Sequence, residues 1–209
     1  MHVPDPNLDH RADAAVELHT GGSTGDAPGT PWRGHSVVQV PVPPLEAWVR
    51  ARTAHYDEQF VSRDPRFAHA HVTVLAPWLS DPAPPDLDWL AGLAAATPAF
   101  DVTLARVAAF PDGVIHAVPQ PDAPLRALTA ATARAYPDHP PYGGRFGRDV
   151  DPHVTLDRIG AGVSLDSTTD AVTHLLPVTF RVDRLQLTWW ESGNCHVVEE
   201  WLLGGPGPT

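Results

Sequence analysis

The chain repeats itself, and that repeat limits the fold to arrangements in which two like units share one core. Pro44-Leu45, Ala47, Ala51 and Tyr56 recur as Pro124-Leu125, Ala127, Ala131 and Tyr136, a spacing of 80 residues (44 to 124). His71-Val72-Thr73 recurs as His153-Val154-Thr155 at 82 (71 to 153). Leu87-Asp88 recurs as Leu165-Asp166 at 78 (87 to 165), and Phe100 and Val102 recur as Phe180 and Val182 at 80 again (100 to 180). Matches at nearly one offset, in one order of elements, imply two copies of a β-α-β-α-β unit. Short loop insertions and deletions account for the drift of two residues. Twin units that bury apolar faces together bring equivalent residues opposite one another about a pseudo-twofold axis.

The periodicity predicts strands at 36–42, 71–78, 100–110, 113–119, 153–159, 180–190 and 195–203, with helices at 45–56, 87–96, 124–136 and 165–176. Asp112-Gly113 and Glu191-Ser192-Gly193-Asn194 are the turns of two hairpins, 100–119 and 180–203. Residues 1–33 contain HTGGSTGDAPGTP, which has no apolar period and cannot bury enough surface to offset its ordering entropy. The organisation expected is a disordered tail at 1–33, one bilobal domain at 34–204 and a frayed end at 205–209.

Charge narrows the partners. The chain has 25 acidic residues against 14 basic ones, a formal net charge of -11. An acidic surface repels a polyanion, which argues against long RNA or DNA but not against a nucleotide or a short oligonucleotide. One cysteine, Cys195, excludes a disulfide within the chain. The amino terminus lacks a basic start and an apolar stretch, and no run of about 18 apolar residues exists. The expectation is a cytoplasmic protein without a membrane partner; the oligomeric state is left open.

His-Val-Thr-Val (71–74) and His-Val-Thr-Leu (153–156) carry the chemistry. Bare His-x-Thr is weak, with about one copy expected by chance in a chain of this composition. Two extended copies at equivalent places in a repeat are another matter. Side chains alternate along a strand, so His71 and Thr73 share a face while Val72 and Val74 point into the core. His153 and Thr155 do the same against Val154 and Leu156. The pseudo-twofold then gathers two imidazoles and two hydroxyls into one cleft. In-line cleavage of a phosphodiester needs a base on the attacking oxygen and an acid on the leaving oxygen. Histidine can do either near neutral pH. Threonine hydroxyls can donate to the non-bridging oxygens, and the scheme needs no metal and no cofactor.

The paired motifs, one per unit, resemble the 2H phosphoesterase superfamily. The segments AHVTVLAPW (70–78), FDVTLARVAAFPDG (100–113) and PPYGGRFGRDVDPHVTL (140–156) resemble its 2′–5′ RNA ligase-like and cyclic phosphodiesterase branch. The resemblance covers about residues 35–204. It implies a bilobal α+β fold with two antiparallel-rich sheets around a central groove. It also implies catalytic histidines at His71 and His153 and phosphate-binding threonines at Thr73 and Thr155. The activity implied is that of a hydrolase, or a ligase, on a cyclic phosphate or 2′–5′ phosphodiester.

Several neighbours join the candidate site. Tyr142 and Phe146 sit in a Gly-rich loop before the second motif and could stack on a base, and Arg145 could pair with a phosphate. His69 and Asp151 each lie two residues before a motif histidine, placed to orient it. Two other readings stay open on the same residues. His69, His71, Asp151 and His153 could hold iron or zinc, although the threonines then have no task. The duplicated fold could also bind a phosphorylated ligand without turnover.

The tail is separable on this reading. Deleting residues 1–33 should leave the melting temperature nearly unchanged, and a large drop in thermal unfolding would show that the segment packs on the domain.

Overall fold

A computed structural model describes residues 34–147 and 149–205. The proposed tail at 1–33 lies outside the described residues. Twelve regular elements follow one another: β1 (His35–Pro41), α1 (Glu46–Tyr56), β2 (His71–Leu75), α2 (Pro84–Ala96), β3 (Phe100–Ala109), β4 (Val114–Gln120), α3 (Ala123–Ala135), β5 (Val154–Arg158), α4 (Leu165–Val172), β6 (Val178–Val182), β7 (Arg184–Trp190) and β8 (His196–Leu202). No helix among the described residues is long and apolar enough to cross a membrane.

Local chemistry sets the helix starts. Pro43 opens the 3₁₀ turn Pro43–Leu45 that feeds α1, and Pro84 stands at the start of α2. The Asp86 carboxylate accepts a hydrogen bond from the Ala83 N–H at 2.9 Å, satisfying one of the amides at that end. Ser164 caps α4 by accepting from the Ser167 N–H at 3.1 Å.

The strands form one antiparallel sheet in the order β6-β3-β4-β5-β2-β1-β7-β8. It is two four-stranded halves joined where β2 meets β5. There a single pairing, Val72 against Val154, carries the register. The inner strands obey the pseudo-twofold: β1 lies beside β2 as β4 lies beside β5. The outer ones follow another rule. Phe100 and Val102 do not sit across the axis from Phe180 and Val182; β3 and β6 are hydrogen-bonded neighbours, with Phe100 opposite Val182 and Val102 opposite Phe180.

The strand expected over 180–190 is in fact two. β6 pairs with β3 in one half, and β7 pairs with β1 in the other. The chain crosses between halves at Asp183, whose carbonyl accepts from the Leu203 N–H at 2.8 Å and whose carboxylate holds Arg184 at 2.8 Å. The hairpin across Gly193 therefore joins only β7 and β8.

Helices cover one face of the sheet. Val38, Val40, Val72, Val74, Val154 and Leu156 from the strands pack with Val49, Leu90, Leu125, Leu128 and Val172 from the helices in a core that runs through both halves. A smaller cluster, Phe60, Phe67, Trp190, Cys195 and Val197, lies around Val37. Val72 and Val154 are 2 % and 0 % exposed, so the seam is sealed by apolar burial worth about 1.5–3 kcal/mol per side chain. Val154→Ala should cost about 2 kcal/mol in denaturant unfolding, from lost transfer energy and the cavity left behind. A cost below about 0.5 kcal/mol would mean that the two halves hold together without this contact.

Candidate active site

The register at the seam composes the site. With Val72 opposite Val154 in an antiparallel pair, His71 stands across from Thr155 and Thr73 across from His153. All four lie on the face opposite the valines. The two histidines are on a diagonal, offset by about 7 Å along the strands and about 5 Å between them. His71, Thr73, His153 and Thr155 line one cavity of about 370 Å³.

Both imidazoles are held in one way. The Nδ1–H of His71 donates to the carbonyl of His69 at 2.8 Å, and that of His153 donates to the carbonyl of Asp151 at 2.8 Å. A carbonyl can only accept, so each neutral ring carries its proton on Nδ1. With its proton on Nδ1, each neutral ring has Nε2 as its basic nitrogen.

The rings differ in their surroundings. His71 is buried against Trp190, with ring centroids 5.4 Å apart. His153 is half-buried among Phe110 at 4.9 Å, His116 at 5.5 Å and Tyr142 at 6.3 Å, the last stacked. Burial pushes the His71 imidazole down to about 4 and lowers His153 below its ordinary value. His116, stacked on Phe110 at 3.9 Å and opposite Thr155 on β4, is likewise pushed down to about 4 by burial.

The neighbours predicted from sequence divide. Tyr142 and Phe146 line the cavity and meet edge to face at 5.7 Å. Tyr142 takes a left-handed backbone (φ 52) ahead of Gly143 and Gly144 (φ 61 and 82), and its N–H donates to Ala76 at 2.7 Å. This sets its ring in the lining of the groove, beside Thr73. Burial pushes its phenol up to about 12, so it stays protonated.

Arg145 is exposed, does not line the cavity, and sits 5.2 Å over the Phe146 ring. His69 and Asp151 touch the His71 and His153 rings through their carbonyls, not their side chains. The His69 ring is turned to Glu46, and the Asp151 carboxylate to Arg126. Among the described residues no group of three or more His, Cys, Asp and Glu is arranged to hold a metal ion. Phe110, Pro111, Asp112, Val114, Asp149 and Val150 complete the lining. Of these the sequence signalled only the Pro111-Asp112 turn.

A family model described as the 2′-5′ RNA ligase superfamily matches residues 40–194. The chain belongs to that superfamily. It is the 2H phosphoesterase group that the paired motifs resemble, and the family places the chain among phosphoesterase- and ligase-type enzymes. No curated protein matches the sequence. Among solved structures, the chain is similar to E. coli LigT complexed with 3′-AMP, at 19% identity over 81% of this chain and 98% of that one, with a TM-score of 0.45. It is also similar to TT0787 of Thermus thermophilus, at 21% identity over 81% and 98% of the two chains, with a TM-score of 0.48.

The depressed imidazoles set the pH response. A base–acid pair works with one proton shared between its members, and kcat/KM reports the free enzyme. Both histidines shed their protons below 6.5, so the one-proton state is populated on the acid side. Towards a phosphodiester, kcat/KM should peak below about pH 6.5 and fall as pH rises through 7 and 8. A maximum above about pH 7 would contradict this ordering. Stability should run the other way: unfolded histidines take up protons below 6.5 while His71 and His116 resist until about 4, so thermal stability should fall as pH drops from 6.5 towards 4.

Proposed function

We propose that the groove cleaves a cyclic phosphate or 2′–5′ phosphodiester of a nucleotide or short oligonucleotide, without a metal. His71 and His153 are the acid–base pair, and Thr73 and Thr155 bind the phosphate. One observation carries the reading: two imidazoles of like tautomer sit diagonally on one face, each across from the other strand's threonine. A phosphate on the axis between them has a nitrogen on either side, as in-line displacement requires.

In hydrolysis one Nε2 takes a proton from water as the water oxygen bonds to phosphorus. The opposite imidazolium gives its proton to the leaving oxygen as the P–O bond breaks. The product is a phosphomonoester with a freed hydroxyl, and one proton exchanged with solvent resets the pair. The threonine hydroxyls donate to the non-bridging oxygens, where charge accumulates. With the hydroxyl of a second nucleotide attacking a cyclic phosphate in place of water, the same proton transfers give a phosphodiester as the ring P–O bond breaks, which is ligation.

The walls bear on the substrate. Tyr142, Phe110 and Phe146 offer flat apolar surface to a nucleobase. Asp112, Asp149 and Asp151 line the cavity, which among the described residues has no arginine or lysine in its wall. The domain proposed to carry the activity is 34–204, with 205–209 outside it.

Each single His71→Ala or His153→Ala variant should lose about 100- to 10,000-fold in turnover of cyclic phosphates or 2′–5′ dinucleotides. The double variant should lose far less than the product of the two, because the pair acts as a unit. EDTA should have no effect. Loss with EDTA restored by added metal would favour a His/carboxylate metal site, and ligand binding without turnover in the wild type would favour a binding module.

A further inference from the structure

The carbonyls that fix the two catalytic imidazoles are themselves held, by charged residues at matching places in the repeat. In the first half, Glu46 begins α1. Its Oε1 accepts from His69 Nδ1–H at 2.6 Å, and its Oε2 accepts from the Ala70 N–H at 2.9 Å. The His69 ring is 2 % exposed, and its Nε2 accepts from the Ser62 N–H at 3.1 Å, so its tautomer is fixed as well. The carbonyl between these two grips is the one that takes the His71 proton.

In the second half the residue 80 positions on (46 to 126) is Arg126, in the first turn of α3. Its guanidinium holds the Asp151 carboxylate, donates to the Val150 carbonyl at 3.3 Å and reaches Asp149 at 2.8 Å and Asp122 at 2.7 Å. The Asp151 carbonyl takes the His153 proton. Asp151 stands 82 positions after His69 (69 to 151), the same offset as the catalytic histidines. The wiring is duplicated with its charges reversed. The reversal has a local reason: the position that matches Ala70 is Pro152, which has no N–H for a carboxylate to hold. An arginine instead grips the flanking carbonyl and the aspartate side chain.

We propose that Glu46 and Arg126 are the positioning residues of the two-histidine site, each anchoring the residue whose carbonyl fixes the Nδ1–H tautomer of one catalytic imidazole. The inference rests on the acid–base role proposed for His71 and His153. The two anchors differ in strength. Glu46 and Arg126 are about equally exposed, at 31 % and 34 %, but their partners differ: the His69 ring is 2 % exposed and the Asp151 side chain 69 %, so the second anchor is the more open to screening by salt.

The test uses the full chain with Glu46→Gln and Arg126→Gln. Glu46→Gln keeps the shape but turns an amide donor towards a ring N–H or the Ala70 N–H. Long-range ¹H–¹⁵N NMR of the imidazoles at about pH 7.5, where both rings are neutral, reads the protonated nitrogen directly. The wild type should show Nδ1–H at both His71 and His153. Glu46→Gln should mix the tautomers of His71 alone, and Arg126→Gln those of His153 alone. Turnover should fall about 10- to 100-fold in kcat with little change in KM, the usual worth of an outer partner of a functional imidazole. The Arg126→Gln loss should shrink when compared with wild type at high salt.

Unchanged tautomers in both variants overturn the proposal, whatever the activity does. If Glu46→Gln does not fold, Arg126→Gln on the open side decides alone. A wild type that turns over no phosphodiester while the tautomers respond as described would remove the proposed reaction and leave the anchoring intact.

Discussion

Everything in the groove depends on one contact, the antiparallel meeting of β2 and β5 at Val72 and Val154. The two halves of the sheet join through a single registered pair. A slip of one residue would turn the histidines and threonines to the helix face and the valines to the groove. The register is held because Val72, Val74, Val154 and Leu156 are buried in the common core. Hydrophobic burial on one face thus sets the separation of two imidazoles on the other.

That placement carries a cost which the site uses. Imidazoles enclosed by Trp190, Phe110 and Tyr142 are poorly solvated, and the charged form suffers most. Their protons come off early, and the neutral rings are pinned with Nδ1–H on the strand carbonyls. In the proposed reaction a bound phosphate monoanion would offset the missing solvation and favour a proton on one ring, which would couple substrate binding to the charging of the acid.

Much of this was legible in the sequence because the decisive signals are short-range. His-x-Thr with a valine between states which residues share a face, and the offset near 80 pairs the two strands. The first helix start followed from Pro43-Pro44, whereas the apolar period placed the second helix at 87 and the structure starts it at Pro84. The break at Asp183 was not legible: FRVDRLQL alternates as one strand would, and only the partners β3 and β1, in different halves, divide it. Phe110, His116 and Trp190 carry no motif, and tertiary packing alone brings them to the His71 and His153 rings. Arg145 was expected near a phosphate as a basic residue in a glycine-rich loop, and the structure sets its guanidinium 5.2 Å over the Phe146 ring. Glu46 and Arg126 were visible at the repeat spacing. Their opposite charges hid the match, since sequence comparison rewards identity and this equivalence is one of wiring.

The central claim is that one phosphorus atom sits between two Nε2 atoms. A crystal structure of the full chain with a nucleoside vanadate, a trigonal-bipyramidal mimic of the displacement, tests it most directly. Vanadium should lie on the seam axis, with apical oxygens against His71 and His153 and equatorial oxygens on the Thr73 and Thr155 hydroxyls. A vanadate bound in the groove but touching only one histidine, or bound elsewhere on the protein, would contradict it.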